Sequence, residues 1–132
     1  MKKFLLFLYT FFVVLFLDVI WLKYIAYEFF QHHLGPMLRE DIIMLSGFAF
    51  YFVFSLGLFI FVVLPQLESD NMAITLAKGA FFGVVCYGSF DFTCYAIFKD
   101  FPFDVVLLDI AWGAFIGSVP AGLVVATSKQ KL

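Results

Sequence analysis

Charged residues are scarce in this chain of 132 residues: they make up 14% of the sequence, whereas 64% of the residues are hydrophobic. A soluble domain of this size needs a polar surface, but the few charges here are gathered in short segments between long apolar runs. Basic residues are also few, and no basic stripe with interleaved aromatic residues is present. The composition therefore favours a protein surrounded by lipid and gives no indication of a nucleic-acid partner.

Cysteine is equally sparse. The two cysteines, Cys86 and Cys94, lie in one apolar run, where a helix would place them about two turns apart and out of disulfide reach. We expect two free thiols. The apolar segments also lack a central lysine for a retinal Schiff base, paired histidines for haem and a Cys-x-x-Cys motif for thiol redox chemistry. We therefore expect neither a cofactor nor a metal.

Long apolar runs are what the sequence does contain. Four of them reach the roughly 20 residues that a transmembrane helix needs, and they cover about residues 4–26, 42–64, 72–98 and 103–127. Short links make successive helices antiparallel neighbours. The first link, 27–41, is longer and carries the turn signal Gly35-Pro36, so it can fold over one mouth of the bundle. The sequence predicts an all-α four-helix transmembrane bundle that forms a single domain, residues 1–132.

Basic residues predict the orientation, because cytoplasmic flanks retain Lys and Arg during insertion. By the predicted spans, five basic residues lie on the side of the termini and three on the other. This excess favours cytoplasmic termini. The first group is Lys2, Lys3, Lys78, Lys129 and Lys131, and the second is Lys23, Arg39 and Lys99.

Two histidines, His32 and His33, lie in the first link. Successive residues on a helix or strand point in different directions, so joint ligation of a metal would need a loop. We interpret them as solvated loop histidines.

Three carboxylates, Asp18, Asp91 and Asp109, lie inside the predicted spans. An ionised carboxylate at mid-bilayer costs about 2.5–3.5 kcal/mol on insertion scales, so such residues usually face the bundle interior and mark function. Counting about 1.5 Å per residue places all three at a similar depth in the outer half of the membrane. We expect them to converge there, where mutual repulsion favours a protonated carboxyl that can exchange its proton or bind a cation.

Helical spacing predicts which way two of these carboxylates point. Asp91 and Asp109 each continue a ridge that contains small residues and recurs every four positions, and such ridges let membrane helices approach closely. Both side chains should therefore point at a neighbouring helix. The ridges consist of Gly79, Gly83, Tyr87, Asp91 and Tyr95 in the third span and of Asp109, Gly113, Gly117 and Ala121 in the fourth.

Both tryptophans follow an aspartate by three residues, which places each pair on one helical face. The segment Leu17-Asp18-Val19-Ile20-Trp21 resembles Leu108-Asp109-Ile110-Ala111-Trp112. This likeness indicates an inverted pseudo-repeat or a chance match. In antiparallel helices the two motifs would meet head to tail, with each tryptophan on a different side of the carboxylate layer. Trp21 and Trp112 are then either interfacial anchors or the walls of a ligand pocket.

Together these motifs resemble a bacterial family known as domain of unknown function 2177, and the likeness covers essentially the whole chain. It implies a small four-span protein of the bacterial inner membrane and carries no established activity. By this resemblance, Thr93 and Gly113 also match the family pattern, whereas Cys94 occupies a position where the pattern has Asn. The matching motifs are Leu17-Asp18-x-x-Trp21, Leu34-Gly35-Pro36-Met37-Leu38, Asp91-Phe92-Thr93 and Asp109-Ile110-Ala111-Trp112-Gly113.

Three functions remain open. The first, which we favour over an enzyme, is the binding or transport of a small ligand, proton or cation near the outer leaflet. The second is an intramembrane enzyme that modifies a lipid-like substrate, with one Asp as general acid and another as base. The third is a structural or assembly subunit, in which the carboxyls only tie helices together. The expected partners are membrane lipids, a small-molecule or cation ligand and further copies of the chain. The candidate site residues are Asp18, Asp91, Asp109, Trp21, Trp112, Thr93 and Tyr87.

Overall fold

The computed structural model describes residues 2–130 and contains no strand within that range. Four helical stretches are long and apolar enough to cross a membrane, and they are called the first to fourth spans: Lys2–Met37, Met44–Gln66, Met72–Ile97 and Phe103–Ser128. The predicted all-α architecture with four spans is confirmed. The orientation of the termini stays a prediction, and Lys131, one of the residues that supports it, lies outside the described residues together with Met1 and Leu132.

Two of the spans contain a wider helical turn. In the second span this turn lies just before Pro65, whose ring would clash with a carbonyl of a regular α-helix. The wider turn is seen in the hydrogen bond from the Leu64 N–H to the Phe59 carbonyl, five residues back. The first span consists of α1 (Lys2–Trp21), a π-helical turn (Leu22–Ala26), α2 (Tyr27–Leu34) and a 3₁₀ turn (Gly35–Met37). The second consists of α3 (Met44–Leu58), a π-helical turn (Phe59–Val63) and α4 (Leu64–Gln66), while α5 (Met72–Ile97) and α6 (Phe103–Gln130) form the third and fourth.

The first span is longer than predicted, because its helix does not end near residue 26. Helix α2 continues it, and Phe29, Phe30 and Leu34 pack against a buried cluster that includes Phe101 and Val106. This packing removes apolar surface of α2 from contact with water, which stabilises helix where the polar residues of the segment predicted a loop. The link to the second span therefore shrinks to residues 38–43.

His33 is held by this helical extension rather than solvated in a loop. Its Nδ1 hydrogen-bonds to the Phe29 carbonyl at 3.0 Å, and its Nε2 lies 3.6 Å from the Asp104 carboxylate at the start of α6. His32 is exposed, as predicted. The interpretation of the pair as loop histidines is thus wrong, since both lie in α2. Only the solvation of His32 is as predicted, because tertiary contact with α6 orders the segment and holds His33.

The first and fourth spans run antiparallel. Tyr9 and Thr127 share a hydrogen bond of 3.2 Å near one end, and Trp112 donates to Asp18 closer to the other end. Between these bonds, the side chains of Val14, Ile116 and Val124 are fully or almost fully buried in the main apolar cluster. The two helices that carry the Asp–Trp motifs are therefore direct neighbours.

The third and fourth spans make the closest helix contact of the bundle. An added Cβ on Gly79 would overlap the Gly117 carbonyl, and one on Gly83 would overlap the Gly113 carbonyl. The predicted close approach along these ridges is confirmed. Tyr95 leaves the contact and is 49% exposed, because steps of four residues drift by about 40° each around a helix of 3.6 residues per turn.

Candidate functional site

Asp18 joins three spans through its two carboxyl oxygens. Its Oδ1 accepts a hydrogen bond from Trp112 Nε1 at 2.7 Å, and its Oδ2 accepts one from the Tyr51 hydroxyl. The side chain is only 4% exposed. Since both oxygens have donors from other spans, Asp18 is a satisfied buried acceptor that fixes the first, second and fourth spans together.

Trp21 and Trp112 stack face to face, with ring centroids 4.4 Å apart and planes at 4°. The expectation that each tryptophan lies on a different side of the carboxylate layer is therefore wrong. The antiparallel register brings Trp112 level with the turn that carries Asp18 and Trp21, so the two rings lie against each other rather than on opposite sides of the carboxylates. Stacking covers one face of each ring, and the Trp112 N–H is used by Asp18 rather than by lipid headgroups.

Asp91 and Asp109 form a second part of the site, on the facing sides of the third and fourth spans. Asp91 has no exposed surface, and no N–H or hydroxyl group of the described residues donates to its carboxyl oxygens. The Asp109 carboxyl lies within hydrogen-bond reach, so the two acids can share one proton. Asp109 is half-buried and lies close enough to both Asp91 and Asp18 for their charges to interact. The structure thus gathers all three carboxylates around Asp109.

A cleft of about 340 Å³ leads from the surface to Asp109. Phe50 and Phe90 are exposed and form its outer part, while Tyr87 is half-buried and packs edge to face on Phe50 at 5.8 Å. The Asp109 carboxyl is the only acidic group on the lining, which consists of Phe50, Cys86, Tyr87, Phe90 and Asp109. Aromatic faces beside one carboxylate are suited to hold a small positively charged group.

Of the remaining predicted site residues, Tyr87 joins the cluster and Thr93 does not. The Tyr87 hydroxyl lies close enough to Asp18 and Asp109 to interact with their charges. Thr93 is exposed, and its hydroxyl donates to the Ser89 carbonyl at 2.6 Å. Two residues span about 200° around a helix, so Thr93 points away when Asp91 points inward.

Tyr51 and the cleft residues Phe50 and Phe90 were missed by the sequence interpretation. Tyr51 carried one usable signal, because a tyrosine inside an apolar span needs a partner for its hydroxyl. Phe50 and Phe90 carried none, since they are two of 21 phenylalanines. Only the packing of the helices selects them.

The site has one buried and one half-buried carboxyl side by side, Asp91 and Asp109, but no larger ligand set. Within residues 2–130, no group of three or more His, Cys, Asp or Glu side chains is gathered as metal ligands. Cys86 and Cys94 are both free, as expected. The chemistry available is proton exchange on carboxyl groups, charge pairing and contact with aromatic faces.

The fold and the buried carboxyls together define a small polytopic helical membrane protein with an acidic intramembrane cluster. A family model for predicted membrane proteins, DUF2177, matches residues 3–126 of the chain. The chain therefore belongs to this family of unknown function, as its motifs indicated. No curated protein and no solved structure matches the chain.

Proposed function

We propose that this protein binds a proton at the Asp91–Asp109 pair and exchanges it for a small organic cation that enters through the cleft beside Asp109. The observation that supports this function most directly is the state of Asp91. Its carboxyl group is fully buried and receives no hydrogen bond from an N–H or hydroxyl group of the described residues, so the Asp109 carboxyl is the group with which it can share a proton. Two neighbouring carboxylates in an apolar interior repel each other and lose hydration, so the pair needs a proton or a cation to neutralise it.

The size and lining of the cleft support a particular chemical class of cation. Its volume of about 340 Å³ lies at the small end of ligand pockets. Phe50, Tyr87 and Phe90 offer aromatic surface to the apolar part and the charge of the ligand, and Asp109 offers the counter-charge. An amine or quaternary ammonium or phosphonium ion with apolar substituents meets both requirements.

Asp18 has a supporting role in this scheme. Its two hydrogen bonds hold Trp112 and Tyr51 in place, and its charge lies within reach of Asp109. Transport across the membrane would require a second opening of the site. A second copy of the chain is the simplest source of the surface that such an opening needs.

The test is proton release on cation binding. The purified protein in weakly buffered detergent is mixed with tetraphenylphosphonium, and a pH-sensitive dye records released protons while equilibrium dialysis records bound cation. About one proton should leave for each cation bound, because the two compete for one carboxyl pair. Asp91→Asn and Asp109→Asn should each abolish the release.

The matched control is Asp104→Asn, which changes an exposed aspartate on the same helix as Asp109. It should bind the cation and release the proton as the native protein does. Cation binding that leaves the protons in place and survives both Asn substitutions would refute the proposed function. Absence of any binding by native protein that is folded by circular dichroism would do the same.

A further inference from the structure

A second and larger groove, of about 640 Å³, lies at the junction of the first and second spans. Helix α2 forms one wall and the first turns of α3 form the other, with the link of residues 38–43 closing one end. The groove is separate from the carboxyl cluster, with Phe50 as the only residue that lines both it and the cleft beside Asp109. Its lining includes Tyr27, Phe30, Gln31, Met37, Arg39, Ile43, Ser46 and Gly47.

Most of the groove is apolar, but one full positive charge lies on it. Arg39 is the only charged residue of the lining. Its Nε donates to the Asp41 carbonyl at 3.2 Å, and within residues 2–130 this is the one hydrogen bond that its guanidinium makes. The other N–H groups of this planar cation remain available to an anion, which they can bind in a bidentate manner.

The position of Arg39 relative to the bilayer indicates the kind of occupant. Arg39 lies in the link between two membrane spans, and a link at the end of two spans is expected at the level of the lipid headgroups. Ser46, Gly47 and Phe50 continue the groove along the second span. Residues 42–50 are exposed throughout, so this segment is open to the acyl chains of surrounding lipids. The groove differs from the rest of this exposed surface because it has a cation, Arg39, at one end of an apolar channel.

From this arrangement we infer that the groove is a binding site for a phospholipid with a net negative headgroup. The phosphate region pairs with Arg39, and one acyl chain lies between α2 and the start of α3. Gln31 and Ser46 can donate hydrogen bonds to the ester region between headgroup and chain. The neighbouring acids Glu40 and Asp41 do not line the groove, so a headgroup seated there meets the cation rather than the carboxylates.

The test is competition between lipids of different charge on the purified protein. Native mass spectrometry counts the bound molecules of phosphatidylglycerol and of phosphatidylcholine with matched acyl chains. One direct contact to a cation predicts a preference of about fivefold for the anionic lipid. Arg39→Gln should remove that preference, while Lys99→Gln, which changes a cation in another link, should preserve it.

A third variant separates a seated lipid from loose attraction to charge. Gly47 lines the groove, and an added Cβ there meets nothing within 4 Å, so Gly47→Leu should fill part of the groove and leave the helix contacts in place. It should weaken binding of phosphatidylglycerol although Arg39 is intact. Equal binding of both lipids by the native protein, equal losses in the Arg39 and Lys99 variants, or full preference in Gly47→Leu would each overturn the inference.

Discussion

Trp112 donates its indole N–H to Asp18 across the interface of two antiparallel spans, at 2.7 Å. The acceptor is a buried carboxyl that receives its other hydrogen bond from Tyr51 of a third span. Hydrogen bonds to a carboxylate in a low-dielectric interior are among the stronger contacts available to a membrane protein. The stability of the bundle should therefore depend more on this bond than on the aromatic stacking beside it.

Trp112→Phe tests that dependence. The change keeps a ring against Trp21 but removes the donor to Asp18, which should cost about 1–3 kcal/mol because one buried carboxyl oxygen is left unsatisfied. Thermal unfolding in detergent, followed by circular dichroism, measures the loss. Trp21→Phe is the matched control, since it trims the same stack without removing this hydrogen bond. Equal destabilisation by the two variants would mean that ring area, not the hydrogen bond, stabilises the junction.

Tyr51→Phe should also destabilise the bundle, by about 1 kcal/mol or more, because it removes the other donor to Asp18. Since both donors serve one carboxyl, the loss in the double variant Tyr51→Phe with Trp112→Phe should differ from the sum of the single losses by at least about 0.5 kcal/mol. Denaturant titration of the four proteins gives this difference. Tyr24→Phe, at a tyrosine that is 68% exposed, should change little. Strict additivity of the two core substitutions would argue against a shared acceptor.

Asp91→Asn should raise the stability of the bundle, whereas the preceding substitutions lower it. An amide at this position can donate to the Asp109 carboxyl without the pair having to take up a proton on folding, so the folded protein should gain about 1 kcal/mol. The same thermal unfolding assay compares it with Asp18→Asn, which should lose stability because the amide cannot accept from both Trp112 and Tyr51 as strongly as a carboxylate does. A loss of stability in Asp91→Asn would indicate that Asp91 has a structural role. The predicted gain in stability has a simple explanation: the native protein keeps an acid at position 91 for its function, although that acid makes the fold less stable.

Gly83→Ala should destabilise the contact between the third and fourth spans. The added methyl group would overlap the Gly113 carbonyl, and because backbone atoms cannot move aside cheaply, a cost of about 1–3 kcal/mol or more follows. Gly47→Ala provides the control, since its Cβ enters open space. Unfolding midpoints in detergent should fall for the first variant and stay level or rise for the second, because Ala favours a helix more than Gly does. Unchanged stability of Gly83→Ala would show that the two helices can separate without loss.

The sequence predicted the parts of this fold that depend on periodicity and solvent. Runs of apolar residues long enough to span a bilayer can only satisfy their backbone as helices, so the four spans follow from composition alone. The ridge of Gly79 and Gly83 against Gly113 and Gly117 was visible for a similar reason, because small residues at a regular spacing make sense only at a close helix contact.

The ends of the helices and the contacts of individual side chains could be predicted less well from the sequence. Residues 27–34 look like a loop because polar groups interrupt the apolar run, yet Phe29, Phe30 and Leu34 pack on Phe101 and its neighbours and keep the segment helical. Thr93 belongs to the motif that resembles the family, but the helical rotation between it and Asp91 places it on the outside. Neither outcome can be deduced from one helix considered alone.

The sequence by itself determined the number of spans, their antiparallel order and the presence of three acids within apolar spans. These features depend on local composition and helix geometry. What only the tertiary structure decided is how the acids differ. Asp18 receives two donors from other spans, whereas Asp91 has another acid, Asp109, beside it and receives no N–H or hydroxyl donor from the described residues. The physical reason is that hydrogen bonding and mutual repulsion depend on distances between helices, and those distances are set by how all four spans pack.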